Sequence, residues 1–470
     1  MTNFSKLVDP RIRPQDDLYQ HVNGRWLRQT KIPDQEAKWG SFWALYHVNL
    51  RRLRRLIEEL DTQPRLAASS LERKVLDFYR SGLDDAAVAK SGLKTYQVLA
   101  AEVDGCQDWP CLTRLIGRLH LMGIAVFWDW YVEPDDKQST RHALRLCQGG
   151  WSLPDRDYYT LETPKLKNIR QRLQAHIPAM LNLASDVPDK EAGRIFELEH
   201  QLATAAMSAV ELRDVMAKYN KFTFAQLRRR YPNIGWSDYF AGLGIALPNH
   251  LLIDQVRYFD FLNTYFMTLS LAQAKSYLRW QVLSVAASKM GRRLATQNFE
   301  FYGKTLRGIK KMRPRWQRLV LATDDCLGDA LGKLYVDRYF PPAAARRMQA
   351  LVEDVRAAFA DRIERLDWMQ PSTKQQALAK LAKTRIKLGY SRRPKNYRGL
   401  KISVTAYLGN YLAAKIYDNR RFLAKIGQAV DPEEWYMTPP TVNAYFYPQY
   451  NEIVFPAGIL QPPYFGLRAD

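Results

Sequence analysis

The sequence of 470 residues has few cysteines, no long apolar run and no recognisable leader. Its four cysteines are too few for a disulfide framework in a chain of this length, and we expect them to be reduced. No apolar stretch approaches the length of a bilayer span, and the N-terminal residues lack the apolar segment of a signal peptide. These absences predict a soluble protein of the cytoplasm without a membrane partner.

Histidines at metal-binding spacing are also missing. The seven histidines, none within five residues of another, are His21, His47, His120, His142, His176, His200 and His250. Glu199 and His200 are adjacent but lack the second histidine of an HExxH motif, so we interpret them as a pair on a helix surface. The carboxylates at 133–136 and 155–157 are interpreted as turn residues of loops that contain proline. Since no serine-nucleophile or phosphate-binding motif is found either, the residues alone predict no metal site and no catalytic group.

Acidic residues are in deficit, with 48 Asp and Glu against 70 Lys and Arg, for a net charge of +22. An anionic partner such as nucleic acid, a membrane surface or an acidic peptide would explain this excess, and so would a basic proteome background. Residues 304–318 and 380–401 contain aromatic and basic side chains but no acidic ones, a pattern found in single-strand nucleic-acid binders. No nucleic-acid-binding motif accompanies them, and we interpret them as a solvated helix face and a linker.

Apolar periodicity predicts a mainly helical chain. Residues 41–60 repeat apolar side chains at helical spacing, with Ser41 as the expected N-cap. A second pattern predicts one helix with a single apolar stripe, ending near Trp368. The residues of that stripe are Met348, Leu351, Val352, Val355, Phe359, Ile363 and Leu366.

The C-terminal residues predict a β-hairpin. Val442, Ala444 and Phe446 alternate with polar residues or tyrosine, and residues 452–455 are rich in β-forming side chains after a turn at 448–451. An edge strand exposes unpaired backbone groups to which an extended peptide can bind.

Phrases spread over nearly the whole chain resemble the neprilysin and endothelin-converting-enzyme family of zinc metallopeptidases, in particular its bacterial oligopeptidases. The phrases of the first half are "DDLYQHVNGRWL" (16–27), "LDFYRSGLD" (76–84), "VEPDDKQSTRHALRLCQGGWSLPDRDYY" (132–159) and "VELRDVMAKYNKFT" (210–223). Those of the second half are "FYGKTLRGIKKMRPRW" (301–316), "LGDALGKLYVDRYFPP" (327–342), "LDWMQPSTKQQALAKL" (366–381) and "VNAYFYPQYNEIVFPAGILQPPYF" (442–465). Their number and their order carry the resemblance.

The resemblance implies a mainly α fold with two helical lobes around a central cavity. Residues 1–220 would form the N-terminal part of the catalytic lobe, and 221–402 an inserted second helical domain. Residues 403–470 would begin the thermolysin-like catalytic domain, which is incomplete here, with the hairpin as its substrate-binding edge.

The family's substrate-binding Asn-Ala-aromatic motif corresponds to Asn443, Ala444 and Tyr445. An extended peptide would pair with the backbone of Ala444, while the amide of Asn443 would hold the peptide backbone beside the scissile bond. We therefore expect these residues to bind oligopeptide substrates.

In the complete family enzyme, zinc is bound downstream of this motif by an HExxH helix and a later glutamate. No HExxH occurs in the 470 residues. We expect this chain to hold no zinc or catalytic residue and to be inactive alone, as a piece that lacks a C-terminal catalytic segment. The alternatives are a repurposed, non-catalytic peptide-binding protein and a basic, helical nucleic-acid-binding protein.

Overall fold

The structure is a computed structural model that describes residues 7–63, 66–185 and 189–467. The fold of these residues is mainly helical with two small sheets, which confirms the predicted class. The α-helices in the described ranges are α1 (Leu18–Gln29), α2 (Ser41–Asp61), α3 (Leu71–Ser81), α4 (Asp85–Gly105), α5 (Trp109–Leu121), α6 (Asp157–Thr160), α7 (Pro164–Ala184), α8 (Ile195–Ala205), α9 (Phe224–Arg230), α10 (Trp236–Leu243), α11 (Val256–Thr268), α12 (Leu271–Ala286), α13 (Arg292–Phe299), α14 (Arg315–Tyr339), α15 (Pro342–Arg365), α16 (Pro371–Ala382) and α17 (Tyr407–Leu423). The strands are β1 (Trp128–Asp135), β2 (Gln138–Gln148), β3 (Lys221–Thr223), β4 (His250–Ile253), β5 (Arg385–Gly389), β6 (Tyr445–Tyr447) and β7 (Glu452–Pro456).

The larger of two compact units comprises residues 77–308 and 397–431. One apolar cluster forms its core, in which Trp128, Trp236 and Trp280 are fully buried. Its sheet has the order β1-β2-β4-β3, with β2 antiparallel to β1 and parallel to β4. The β1–β2 hairpin contains residues 132–148 of the family-like sequence at 132–159.

The smaller unit is assembled from residues 1–76, 309–396 and 432–470. Helix α2 follows the prediction closely, because it begins at Ser41 and buries Leu45, Leu53 and Ile57. Its N-cap is Gly40, one residue earlier than predicted. The sheet of this unit has the order β5-β7-β6, and its β6–β7 pair is the predicted hairpin.

Strand β5 corrects the interpretation of residues 380–401 as a helix face and a linker. It pairs with β7 in parallel, from Arg385 opposite Glu452 to Gly389 opposite Pro456. Ile386 and Leu388 alternate with basic side chains there, which is the period of a strand. The high charge of the stretch obscured that period.

Helix α15 forms as predicted, but its apolar residues do not share one environment. Met348, Val352 and Ile363 are buried, whereas Val355 and Phe359 are 61% and 53% exposed. The predicted apolar stripe is wider than the part of the helix surface that other described residues cover. An exposed apolar face therefore remains on this helix.

The expectation of reduced cysteines was wrong for one pair. Cys106 and Cys111 form a disulfide, with their Cα atoms 5.4 Å apart. Cys106 follows the last residue of α4 and Cys111 lies in the first turn of α5, so a short connection brings the two thiols together. Cys147 and Cys326 are free.

The boundaries of the compact units lie at 76/77, 308/309, 396/397 and 431/432. They differ from the predicted boundaries at 220 and 402, because residues 77–220 share the apolar core of the helices that follow them. Which segments belong to a catalytic part stays a prediction. Among the described helices, none combines the length and apolar character that crossing a bilayer requires.

Candidate functional site

Strand β6 lies at the edge of the three-stranded sheet. It pairs with β7 through Tyr445 opposite Val454 and Tyr447 opposite Glu452, and no other strand of the described chain pairs with it. One side of its backbone is therefore available for a further strand. An extended peptide can add to such an edge by main-chain hydrogen bonds.

Asn443 and Ala444 immediately precede this edge strand. The side chain of Asn443 is exposed, and its Oδ1 accepts a hydrogen bond from the Ala444 N–H at 2.9 Å. This bond orients the Asn443 amide along the backbone. A bound peptide that donates a hydrogen bond to Oδ1 of Asn443 would have to share this acceptor with the Ala444 N–H or replace it.

Tyr445 belongs to a cluster of tyrosines on one face of the hairpin. The ring of Tyr436 stacks on that of Tyr447 at 5.0 Å between centroids, and its hydroxyl lies 3.0 Å from that of Tyr450. The Tyr445 hydroxyl accepts a hydrogen bond from the Tyr436 N–H at 3.1 Å. Burial raises the pKa of Tyr445 to about 12, so its hydroxyl stays protonated at neutral pH. Phe446 points to the other face and is 51% exposed.

The segment that leads into β6 is anchored by the buried amide of Asn49. Its Nδ2 donates to the carbonyl of Pro440 at 3.2 Å and to that of Gly458 at 3.1 Å. Gly458 has to be glycine, because a Cβ there would collide with the backbone of Pro440. Asn49 was missed from the sequence, although a polar residue on the apolar stripe of α2 was a usable signal.

Asp324 supports the same segment from α14. Its Oδ2 accepts a hydrogen bond from Thr438 Oγ1 at 3.2 Å, while its buried Oδ1 has no hydrogen-bond partner in the described chain. Burial, helped by the charges of Asp325 and Asp329, raises the pKa of Asp324 to about 7, and the hydrogen bond from Thr438 opposes this shift. Nothing in the sequence distinguished this carboxylate from its neighbours.

The interpretation as turn residues of loops fits Asp155, whose Oδ1 accepts a hydrogen bond from the Asp157 N–H at 2.9 Å, but it does not fit the carboxylates at 133–136. Glu133 and Asp135 lie in β1, and Asp135 accepts a hydrogen bond from Lys221 at 3.0 Å. Buried Arg145 forms ion pairs with Asp254 and Asp136 at 2.8 Å each and with Glu133 at 3.3 Å. These acids therefore pair with Arg145, which is buried, and with Lys221, which is partly exposed.

Glu199 also corrects an interpretation, because it is fully buried and does not lie on a helix surface. Its carboxylate accepts hydrogen bonds from Ser152 Oγ at 2.7 Å, Tyr159 at 2.7 Å and Gln281 at 2.8 Å. Burial raises its pKa, while these donors lower it. Glu199 thus holds three elements of the larger unit together.

The two basic stretches also contribute to internal pairs. Arg313 donates to both carboxylate oxygens of buried Glu36, at 3.1 and 2.9 Å, and Lys387 forms a buried pair with Glu452. Part of the positive charge in these stretches is therefore directed into the protein.

The described residues do not fit a zinc site. They contain no group of three or more His, Cys, Asp and Glu side chains with the arrangement of metal ligands. The predicted peptide-binding residues are consecutive in the chain, with Asn443 and Ala444 directly before β6 and Tyr445 as its first residue.

Comparisons with known proteins give one consistent family. The sequence profile of peptidase family M13 matches residues 14–391. The mouse protein endothelin-converting enzyme-like 1 is 29% identical over 98% of this chain, and neprilysin-3 of Drosophila melanogaster is 27% identical over 98%. The chain spans about 62% of the length of these two curated relatives.

Solved structures agree with the sequence relatives. The crystal structure of the Mycobacterium tuberculosis zinc metalloprotease Zmp1, in complex with an inhibitor, is similar over 100% of this chain and 71% of its own, with 36% identity and a TM-score of 0.94. PepO from Lactobacillus rhamnosis is 22% identical, with a TM-score of 0.84 over 98% of this chain and 73% of its own, and supports the fold alone.

Proposed function

The chain belongs to peptidase family M13, a family of metallopeptidases, and on this premise we propose that it acts in the hydrolysis of oligopeptides by binding them as an added strand along β6. Asn443, Ala444 and Tyr445 are the residues proposed to bind the peptide. The observation that carries the proposal is the free edge of β6 directly after the exposed Asn443.

The residues around the edge strand suit this role. Tyr436 and Tyr447 support one face of the hairpin, and Asn49 anchors the segment before it. A rigid edge loses little conformational freedom when a peptide binds, which favours affinity. The amide of Asn443 supplies both a donor and an acceptor for a peptide bond.

Zinc is the metal expected for the family. When bound, it would polarise the scissile carbonyl and activate a water molecule. Because the described residues offer no site for it, the contribution of this chain is proposed to be holding and orienting the peptide. The prediction that the 470 residues alone bind no catalytic zinc and cleave no peptide stays a prediction.

Peptide affinity tests the binding role. Dansylated decapeptides would be titrated against the wild-type chain and an Asn443→Ala variant, with fluorescence anisotropy as the readout. We expect the Asn443→Ala variant to bind about tenfold more weakly, because one side-chain amide pair to the peptide is lost. A variant at the exposed Phe359, distant in sequence, serves as the control and should bind as the wild type does. Equal affinity of all three proteins would contradict the role of Asn443.

Zinc content and hydrolysis separate catalysis from binding alone. The purified chain would be analysed for bound zinc and incubated with a quenched fluorescent peptide. Peptide binding without zinc or cleavage would support the non-catalytic alternative for these 470 residues. Stoichiometric zinc with cleavage that a chelator abolishes would overturn the predicted absence of a metal site.

Localisation in the cytoplasm stays a prediction. The disulfide between Cys106 and Cys111 is a feature more common in oxidising compartments. Fractionation of the producing cells, with detection by antibody, would decide between the cytoplasm and an oxidising compartment.

A further inference from the structure

The disulfide between Cys106 and Cys111 closes a short loop between α4 and α5 of the larger unit. The two cysteines are five positions apart in the sequence. In the chain-entropy description, a disulfide stabilises a fold by restricting the unfolded chain, and this effect decreases as the closed loop becomes shorter. The bridge therefore contributes less to folding than one that closes a long loop, and the proposed function uses neither cysteine.

Backbone and capping contacts hold this connection independently of the sulfur atoms. The N–H of Cys106 donates to the carbonyl of Val103 at 3.3 Å where α4 ends. The carboxylate of Asp108 accepts the N–H of Cys111 at 2.9 Å where α5 begins. Val103 and Leu112, on the two sides of the connection, are fully buried. Because none of these contacts needs the S–S bond, we expect the two thiols to stay close together after the bridge opens.

Helix α5 is also fixed to its neighbours without the bridge. The ring of Trp109 stacks on that of Phe266 in α11, with 5.1 Å between the centroids. Gly117 lies directly against α10, because a Cβ there would collide with the backbone of Tyr239. Opening the disulfide therefore leaves α5 packed in the larger unit.

The two cysteines differ in their access to solvent. Cys106 is 2% exposed and belongs to the apolar core, whereas Cys111 is exposed in the first turn of α5. Gln107 and Pro110, which lie between them in the chain, are exposed as well. Exchange begins when a thiolate attacks one sulfur of a disulfide and the other sulfur leaves. An external thiolate therefore reaches Cys111 and releases Cys106.

The remaining thiols are less accessible than Cys111. Cys147 is half-buried and Cys326 is buried, and both are free. Burial raises the pKa of Cys147, which disfavours its thiolate. Of the four cysteines, all of which lie in the described ranges, Cys111 is thus the one that is exposed.

The charges near the connection decide which thiols suit it. Asp104 forms an ion pair with Arg279, which also pairs with Asp189 at 2.6 Å. Asp108 is exposed and forms no ion pair among the described residues, so its negative charge lies beside Cys111. This charge repels an anionic thiol. An uncharged thiol is therefore the suitable probe.

We propose that Cys111 is a site of thiol–disulfide exchange with low-molecular-weight thiols, and that Cys106 is the resolving cysteine of the pair. An external thiolate attacks the sulfur of Cys111, the S–S bond breaks, and Cys106 leaves as a thiolate that takes up a proton. A second external thiolate then attacks the external sulfur of the mixed disulfide and releases Cys111, while the two external thiols leave joined as a disulfide. Closure runs through the same steps in reverse, and the structure holds the closed state.

Opening without unfolding is the first test. The chain would be incubated with an excess of mercaptoethanol under native conditions, quenched with acid, then unfolded, alkylated and mapped by mass spectrometry. We expect alkylation of both Cys106 and Cys111 together with an unchanged far-UV circular dichroism spectrum during the incubation. A bridge that mercaptoethanol reduces only in urea concentrations that unfold the chain would be a purely structural disulfide and would overturn the proposal.

Two variants identify the sulfur that exchanges. Cys106→Ala leaves Cys111 alone, and it should form a mixed disulfide with hydroxyethyl disulfide at least about tenfold faster than Cys111→Ala does, because the remaining thiol of Cys111→Ala is buried. Circular dichroism melts establish that each variant is folded. Equal rates in the two variants would overturn the assignment of roles.

A measurement on the wild type needs no substitution in the pair. During opening by mercaptoethanol, the acid-quenched mixed disulfide should be found on Cys111, as located by fragmentation of the peptide. Cys147→Ala serves as the matched control, since it removes a half-buried thiol outside the bridge and should open at the wild-type rate. A mixed disulfide found on Cys106 would contradict the proposal.

Reclosure tests the resolving role of Cys106. After removal of mercaptoethanol, hydroxyethyl disulfide should restore the bridge between the original pair and leave Cys147 and Cys326 free. Disulfides that join Cys147 to either member of the pair would contradict this role. None of these experiments contains a peptide, so their failure leaves the edge strand β6 untouched, and equal peptide binding by Asn443→Ala leaves the exchange site untouched.

Discussion

Lys387 and Glu452 form a buried ion pair between adjacent strands of the sheet that carries the candidate site. Nζ of Lys387 lies 2.8 Å from Oε2 of Glu452, and the two side chains are 9% and 0% exposed. The same Nζ donates to the carbonyl of Glu434 at 2.7 Å, so a third segment is tied to the pair. The pair therefore connects β5, β7 and the chain that leads to the tyrosine cluster.

Breaking this pair should destabilise the smaller unit strongly. We expect Glu452→Gln or Lys387→Met alone to lower the free energy of unfolding by about 3–5 kcal/mol, because each leaves one buried charge without its partner. The double variant should lose less than the sum of the two. Urea denaturation of the four proteins measures this coupling, and strictly additive losses would show that the pair contributes nothing.

Asp324 should make stability depend on pH below neutrality. Its pKa is raised to about 7 in the folded chain, from an ordinary value of 3.8, so the folded state binds the proton more tightly than the unfolded state does. The stabilisation from this proton is complete below about pH 4 and is lost as the pH rises to about 7, by as much as about 4 kcal/mol. Asp324→Asn should flatten this part of the stability profile, as measured by urea unfolding from pH 4 to 8. An unchanged slope in the variant would refute the assignment.

Two residues of α15 should respond differently to truncation. Ile363→Ala should cost about 2–5 kcal/mol, because a buried side chain leaves a cavity. Phe359→Ala should change the free energy of unfolding by less than about 1 kcal/mol, because the ring is 53% exposed. Thermal melts of the two variants decide the matter, and equal losses would mean that the helix packs on both faces.

The four cysteines should divide into two classes. Alkylation without reductant, followed by tryptic peptide mapping, should leave Cys106 and Cys111 unlabelled and joined within a single peptide, while Cys147 and Cys326 are labelled once the chain is unfolded. Protein isolated under conditions that trap thiols should be used. Full labelling of all four would contradict the disulfide.

The hairpin and α2 could be predicted from the sequence because each shows its own period without interference. In α2 the apolar side chains Leu45, Leu53 and Ile57 lie on one face of the helix and the arginines on the other. Apolar and charged residues therefore repeat with the same helical period. Strand β5 has the two-residue period of a strand as well, but the charged side chains of Arg385 and Lys387 suggested a segment exposed to solvent. Lys387 is nevertheless buried, since Glu452 supplies the opposite charge from a strand more than 60 residues away.

The limits of sequence reasoning at the site have the same origin. Asn443 and Ala444 could be identified because the motif is local. Asn49 and Asp324 support that motif from helices far away in the chain, and their role depends on tertiary contacts that no local pattern contains. Glu199 was misinterpreted for the same reason, because its five hydrogen-bond donors come from other elements.

The division of the chain among the two units has a consequence for dissection by proteases or gene design. The smaller unit takes residues from three stretches and the larger from two, so the polypeptide passes between them four times. No single cut can release either unit intact. Excising 77–308 would strand 397–431 without the helices on which α17 packs, and a truncation before 432 would remove two of the three strands of the smaller sheet. Deletion series suit proteins whose domains follow one another along the chain. In this protein such deletions should yield aggregates, and point substitutions are the appropriate way to test the role of a residue.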